Sequence, residues 1–191
     1  MSENRLCYGC MEVKGEQAVC PHCGYQDGTP YLPDYIAPGT MLRERYLIGV
    51  LLGHNGEGAT YLAYDTVICC KVLIREYMPI GLCTRIKGKP IISVNYNNLA
   101  QYKALMAEYT ELNKTLARMR NLSHINPTLD LFAENNTTYT VFEYTEGVKL
   151  LDFLKDNAGE LSWNQAKKMF PPLLSMTDLW VQEKNIKEMT G

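Results

Sequence analysis

Four of the seven cysteines stand in two close pairs, Cys7 with Cys10 and Cys20 with Cys23. Two residues lie inside each pair and nine between the pairs, so two short turns can bring four sulfurs to one point. Four thiolates suit a zinc ion, which accepts tetrahedral sulfur without strain, and Gly9, Pro21 and Gly24 suit the turns. The set is complete without His22, which is read as a bystander. A catalytic zinc keeps a position for water, whereas four protein ligands and no neighbouring general base point to a structural ion. The first 27 or so residues carry too few large apolar side chains to fold alone. Zinc contributes roughly 10–16 kcal/mol of apparent binding energy to such segments, so here the metal substitutes for a core.

The other three cysteines, Cys69, Cys70 and Cys83, lie in an apolar region, and Cys69 and Cys70, in a predicted strand, are read as buried structural thiols rather than redox groups. An odd count without a secretory signal argues against a disulfide framework. Lys and Arg number 19 against 21 Asp and Glu, a net charge of −2, which gives no electrostatic footprint for nucleic acid or an anionic membrane. Between Cys7 and Tyr25 the one basic residue is Lys14, and the 13 tyrosines are scattered rather than clustered with basic residues. A protein partner is therefore expected, and nucleic acid is not. The polar start Met1 to Arg5 and the lack of a long apolar run predict neither a signal peptide nor a membrane span, hence a cytoplasmic location.

The elements that must position any site follow from periodicity. Residues 1–27 form the expected ribbon, and 28–44, with Pro30, Pro33, Pro38 and Gly39, the expected linker. Apolar runs at 46–52 and 59–64 flank a glycine-rich hairpin turn at 53–58, and 67–74 reads as a third strand. Tyr102, Leu105, Tyr109, Leu112, Leu116 and Met119 recur at three- and four-residue steps, which predicts one buried helical stripe. Two more strands, 128–132 and 139–144, flank a polar turn at 134–138. Helical patterns follow at 150–155 and 163–184, the second interrupted by Pro171 and Pro172.

Three strands with a glycine-rich first turn, a long helix, two strands and then helices follow the order of a protein-kinase amino-terminal lobe. The run Leu52-Gly53-His54-Asn55-Gly56-Glu57-Gly58-Ala59-Thr60-Tyr61 resembles the phosphate-covering loop of that family. Lys71-Val72-Leu73-Ile74-Arg75-Glu76-Tyr77-Met78-Pro79 resembles its third strand and exit, and Val141-Phe142-Glu143-Tyr144 its hinge. With the ribbon in front and Pro38-Gly39-Thr40 leading in, the chain resembles the bacterial eukaryotic-like Ser/Thr kinases that begin with a zinc ribbon. The resemblance implies an α+β fold: a ribbon, a kinase-like small lobe over 45–145, and hinge exit plus first large-lobe helices over 146–191. It also implies a nucleotide pocket at Gly53, Gly56, Gly58, Leu73, Arg75, Phe142 and Glu143.

Departures from the family pattern concern phosphate. Arg75 stands at the position of the phosphate-holding lysine, exchanging a compact ammonium for a planar fork. Leu73 replaces a small residue under the adenine. Leu112 takes the place of the helix glutamate, with Glu108 one turn earlier left as an alternative partner for Arg75. The second family glycine falls on Asn55 and the aromatic tip on Glu57, while glycines 53, 56 and 58 also suit a plain hairpin. Lys187, Glu188 and Met189 stand at the catalytic-loop position, and no Asp-Phe-Gly follows before Gly191. The expectation is a pseudokinase-type binding module with structural zinc and weak or absent ATP binding. The alternative is a truncated fragment of an ATP-dependent Ser/Thr kinase.

Overall fold

The computed structural model describes residues 5–119, 126–148, 150–157, 159–171 and 174. These fall into two compact units, one holding the described residues up to Tyr144 and the other those from Thr145 onward.

In the first unit six strands form one antiparallel sheet: β1 (Met41–Leu42), β2 (Tyr46–Asn55), β3 (Gly58–Asp65), β4 (Cys70–Tyr77), β7 (Thr128–Glu134) and β8 (Thr137–Glu143). Their order is β1-β2-β3-β4-β8-β7, so β4 lies inside the sheet between β3 and β8. A separate hairpin pairs β5 (Cys83–Arg85) with β6 (Ile92–Val94), and α1 (Leu99–Arg118) then packs on β7 and β8. The sequence of α1 is rich in Leu and Ala, adds Lys and Glu, and has no Gly or Pro, which favours an uninterrupted helix.

Alternation along β4 sets the two faces of the sheet. Val72, Ile74 and Glu76 are buried on the back, while Leu73 and Arg75 are half-buried on the front. The back carries the main core, Tyr46, Ile48, Tyr61, Ala63, Val72, Ile74, Tyr139 and Val141. Part of its cover comes from the stretch expected as a linker. Ile36, only 2% exposed, joins this core, and its backbone N–H donates to the Tyr61 hydroxyl at 3.2 Å. The front receives α1, where the Tyr109 and Thr140 hydroxyls lie 3.4 Å apart.

Two expectations shift. The third strand begins at Cys70 rather than 67, because the Asp65 carboxylate accepts the Val67 and Ile68 N–H groups at 2.9 and 3.3 Å and holds 66–69 as a turn. Cys69 consequently lies exposed in that turn with φ 54°, not buried in a strand. The buried side of α1 keeps Tyr102, Tyr109 and Met119 of the expected stripe but not its two central leucines. Leu105 and Leu112 are 38% and 42% exposed, while Tyr102, Met106, Tyr109 and Asn113 line the inward side. Asn113 is tolerated inside because its amide donates to the Tyr109 carbonyl at 2.8 Å.

The second unit contains α2 (Leu150–Asp156) and a helical stretch over 163–171. Trp163 is 72% exposed, with Lys167 over its ring at 5.0 Å. The expected helix beyond 174 and the residues at the catalytic-loop position, Lys187, Glu188 and Met189, lie outside the described residues. Among the described residues no helix is long and apolar enough to cross a membrane.

Candidate functional site

Two near-identical turns build the four-cysteine cluster. In the first, the Cys7 N–H donates to the Glu12 carbonyl at 2.8 Å and the Met11 N–H to the Cys7 carbonyl at 2.7 Å. In the second, Cys20 N–H reaches the Tyr25 carbonyl at 2.8 Å and Gly24 N–H the Cys20 carbonyl at 2.9 Å. Each turn closes through a left-handed residue, Met11 with φ 57° and Gly24 with φ 73°. Gly9 lets the first turn press on Tyr25, whose Cβ lies 2.5 Å from where a side chain would begin.

The Sγ atoms of Cys7, Cys10, Cys20 and Cys23 all lie within 4.8 Å of one another. Cys7 to Cys23 is 3.6 Å and Cys10 to Cys20 is 3.7 Å. A tetrahedron of zinc–sulfur bonds of about 2.3 Å has sulfur–sulfur edges of about 3.8 Å, so the cage fits that ion. Burial opposes ionisation of Cys20, but N–H groups of Cys23 and His22 and the thiols of Cys7 and Cys23 outweigh it and bring its thiol down to about 6. Burial pushes Cys10 up to about 12. Four thiolates this close repel one another unless a cation sits among them, so the donor set suits a metal such as zinc. His22 is exposed and outside the cage.

The four-cysteine segment is fastened to the sheet. Val50 N–H donates to the Tyr8 carbonyl at 2.9 Å, and Lys71 on β4 meets Glu12 at 2.5 Å. Gly49 is required there, since a Cβ would lie 2.4 Å from both Met11 Cε and the Tyr8 carbonyl oxygen. Lys14 is buried against Asp27 at 2.5 Å and is not a surface cation.

Of the residues expected at a nucleotide pocket, Leu73 and Phe142 are directly paired across β4 and β8, and Arg75 follows opposite Thr140 and Thr60 on the same front face. Glu143 is exposed, its N–H donating to the Pro127 carbonyl at 3.0 Å. The glycine-rich hairpin closes at Asn55 and Gly58 around Gly56 and Glu57. Gly58 is sterically compelled, because a Cβ would lie 2.0 Å from the Glu76 carbonyl oxygen. Gly53 and Gly56 face open space with no left-handed φ, so nothing in the hairpin itself demands glycine there.

Arg75 makes no ion pair with α1 among the described residues. Its guanidinium instead donates to Asn55 Oδ1 at 2.7 Å and to Thr60 Oγ1 at 3.1 Å. Asn55 Oδ1 also accepts the N–H groups of Glu57 and Gly58, each at 3.1 Å. The turn is tied down further by Met78 and Ile80, whose N–H groups donate to the Glu57 and Gly56 carbonyls, both at 2.9 Å. On α1, Leu112 is exposed and Glu111 is taken by Lys114 at 2.7 Å.

The sequence reading missed a polar cluster on the back face. Glu76 and Arg85 form an ion pair at 2.5 Å with side chains 0% and 2% exposed. The hydroxyls of Tyr61 and Tyr139 donate to the same carboxylate at 2.9 and 3.1 Å, and Arg85 Nε donates to the Asp34 carbonyl at 3.0 Å. The available signal was the alternation of β4, which turns Glu76 to the same buried face as Val72 and Ile74.

No protein-family model matches the chain, and no curated protein matches its sequence. Among solved structures, one described as the apo form of PpkA-294 superposes with a TM-score of 0.66 at 24% identity, over 75% of this chain and 50% of that one. The likeness shows a kinase-like fold. The match spans half the length of that neighbour.

Proposed function

We propose that this chain is a pseudokinase-type binding or regulatory module: a kinase-like small lobe carrying a structural zinc ribbon, addressed to a protein partner and not to nucleic acid or membrane. Arg75 carries the reading. The one cation at the phosphate-holding position is committed to Asn55 and Thr60, and α1 brings no carboxylate to it. A guanidinium held by neutral groups over a closed turn is poorly placed to grip a triphosphate. Hinge backbone and Phe142 can still meet an adenine but Leu73 crowds it, so ATP should bind at about millimolar strength or not at all, with no magnesium requirement. The ribbon's role is to hold a protein-facing surface against β2 and β4, with the cytoplasm as the expected compartment.

Thermal-shift titration of the zinc-loaded chain with ATP, adenosine and Mg-ATP tests this. No shift, or equal weak shifts for ATP and adenosine, is expected, and a micromolar response strengthened by magnesium would overturn the reading. Metal analysis tests the ribbon: one zinc per chain is expected, lost in Cys20→Ser. Zinc content unchanged in that variant would refute the assignment.

A further inference from the structure

The amide oxygen of Asn55 sits in surroundings built for an anion. Three donors converge on it, Arg75 Nη2 at 2.7 Å and the N–H groups of Glu57 and Gly58 at 3.1 Å. An amide oxygen has two lone pairs and no net charge, so three donors, one of them cationic, exceed what it can use well. Two successive backbone N–H groups beside a guanidinium are the kind of set that receives a phosphate oxygen. The tip is already fixed from behind by Met78 and Ile80. These donors are thus already gathered at the surface, where Asn55 itself is exposed, and its oxygen takes them up.

We propose that Asn55 is the built-in occupant of this donor set, its side-chain oxygen holding the place of a phosphate oxygen and closing the turn to oligophosphates. The proposal rests on the pseudokinase reading and names the residue responsible for it. Glu57 is exposed at the tip, where solvent and salt screen its charge, so it is secondary. Arg75 is then not a failed lysine but the clamp on an internal ligand.

The test uses the full zinc-loaded chain and three variants, Asn55→Gly, Asn55→Asp, and Asn55→Gly combined with Arg75→Ala. Inorganic tripolyphosphate and ATP serve as calorimetric probes without magnesium, the first reporting phosphate alone. Asn55→Gly should bind tripolyphosphate at least about tenfold more tightly than the unaltered chain, as expected when a charge-assisted donor set is released. Adding Arg75→Ala should abolish the gain. Asn55→Asp should raise the thermal midpoint with no ligand present, because a carboxylate satisfies the three donors better than an amide. A gain absent in Asn55→Gly, a gain that survives loss of Arg75, or a lower midpoint for Asn55→Asp would each overturn the proposal. Micromolar Mg-ATP binding by the unaltered chain would instead overturn the pseudokinase reading, so the two failures are distinct.

Discussion

Arg75 and Glu76 are neighbours in sequence and opposites in structure. Strand alternation sends Arg75 to the half-buried front, where two neutral oxygens hold it, and Glu76 to the sealed back, where it meets one guanidinium and two phenols. Among the described residues the most buried ion pair lies on the back, where it joins β4 to β5 and, through Asp34, to the strap across the core. Charge on the front costs little to lose because water reaches it. Charge on the back cannot be lost singly, since the partner left behind is buried without compensation.

The first way to break that contrast is Glu76→Ala, which strands Arg85 and should cost about 3–5 kcal/mol in urea unfolding. Replacing both partners, Glu76→Leu with Arg85→Met, should recover much of the loss, because two apolar residues leave no orphaned charge. A single-variant cost below about 1 kcal/mol would mean that water reaches the pair and that the two faces are alike.

Alkaline pH sharpens the contrast next. Burial, reinforced by the Glu76 charge, holds the Tyr61 and Tyr139 phenols well above their ordinary value. The folded state thus keeps protons that the unfolded chain releases. Their contribution is complete below pH ~10 and is lost as pH climbs above it, by up to about 1.4 kcal/mol per pH unit for each phenol. Thermal midpoints from pH 8 to 11 should fall steeply above 10, and less steeply in Tyr139→Phe. A flat profile would show that the back face admits water.

The same two faces explain what the sequence disclosed. The cysteine pairs, the glycine-rich hairpin, the 128–143 hairpin and the long helix were legible because each is set by spacing within a short stretch. The back-face cluster was not, because Arg85 comes from β5, a three-residue strand too short for a periodic signal, and Asp34 from a stretch whose prolines read as linker. Two positions of α1 were misread for a different reason: Leu105 and Leu112 look like core, yet the helix turns Asn113 inward and satisfies it from Tyr109. Side-chain polarity ranked these positions wrongly, and contacts with β7 and β8 decided them. At the hairpin, glycine content was visible, but the convergence of donors on Asn55 depended on the β3–β4 register that sets Arg75 opposite Thr60.

The smallest expected effect lies at Arg75 itself. Arg75→Ala removes two hydrogen bonds, one exposed and one partly buried, and water can take the guanidinium's place at Asn55 and Thr60. Solvated hydrogen bonds contribute little net stability, so the cost should stay below about 1 kcal/mol. The hairpin should also keep its shape: Asn55 Oδ1 still accepts from Glu57 and Gly58, and Met78 and Ile80 still hold the tip. Amide exchange reads this directly. Protection of the Gly58, Met78 and Ile80 amides should change by less than about fivefold, which is the exchange equivalent of about 1 kcal/mol. Arg75→Lys should behave like Arg75→Ala, since a single ammonium cannot span Asn55 and Thr60 as the planar fork does. A loss as large as that of Glu76→Ala would show that the front charge holds the lobe together, and the contrast between the two faces of β4 would fail.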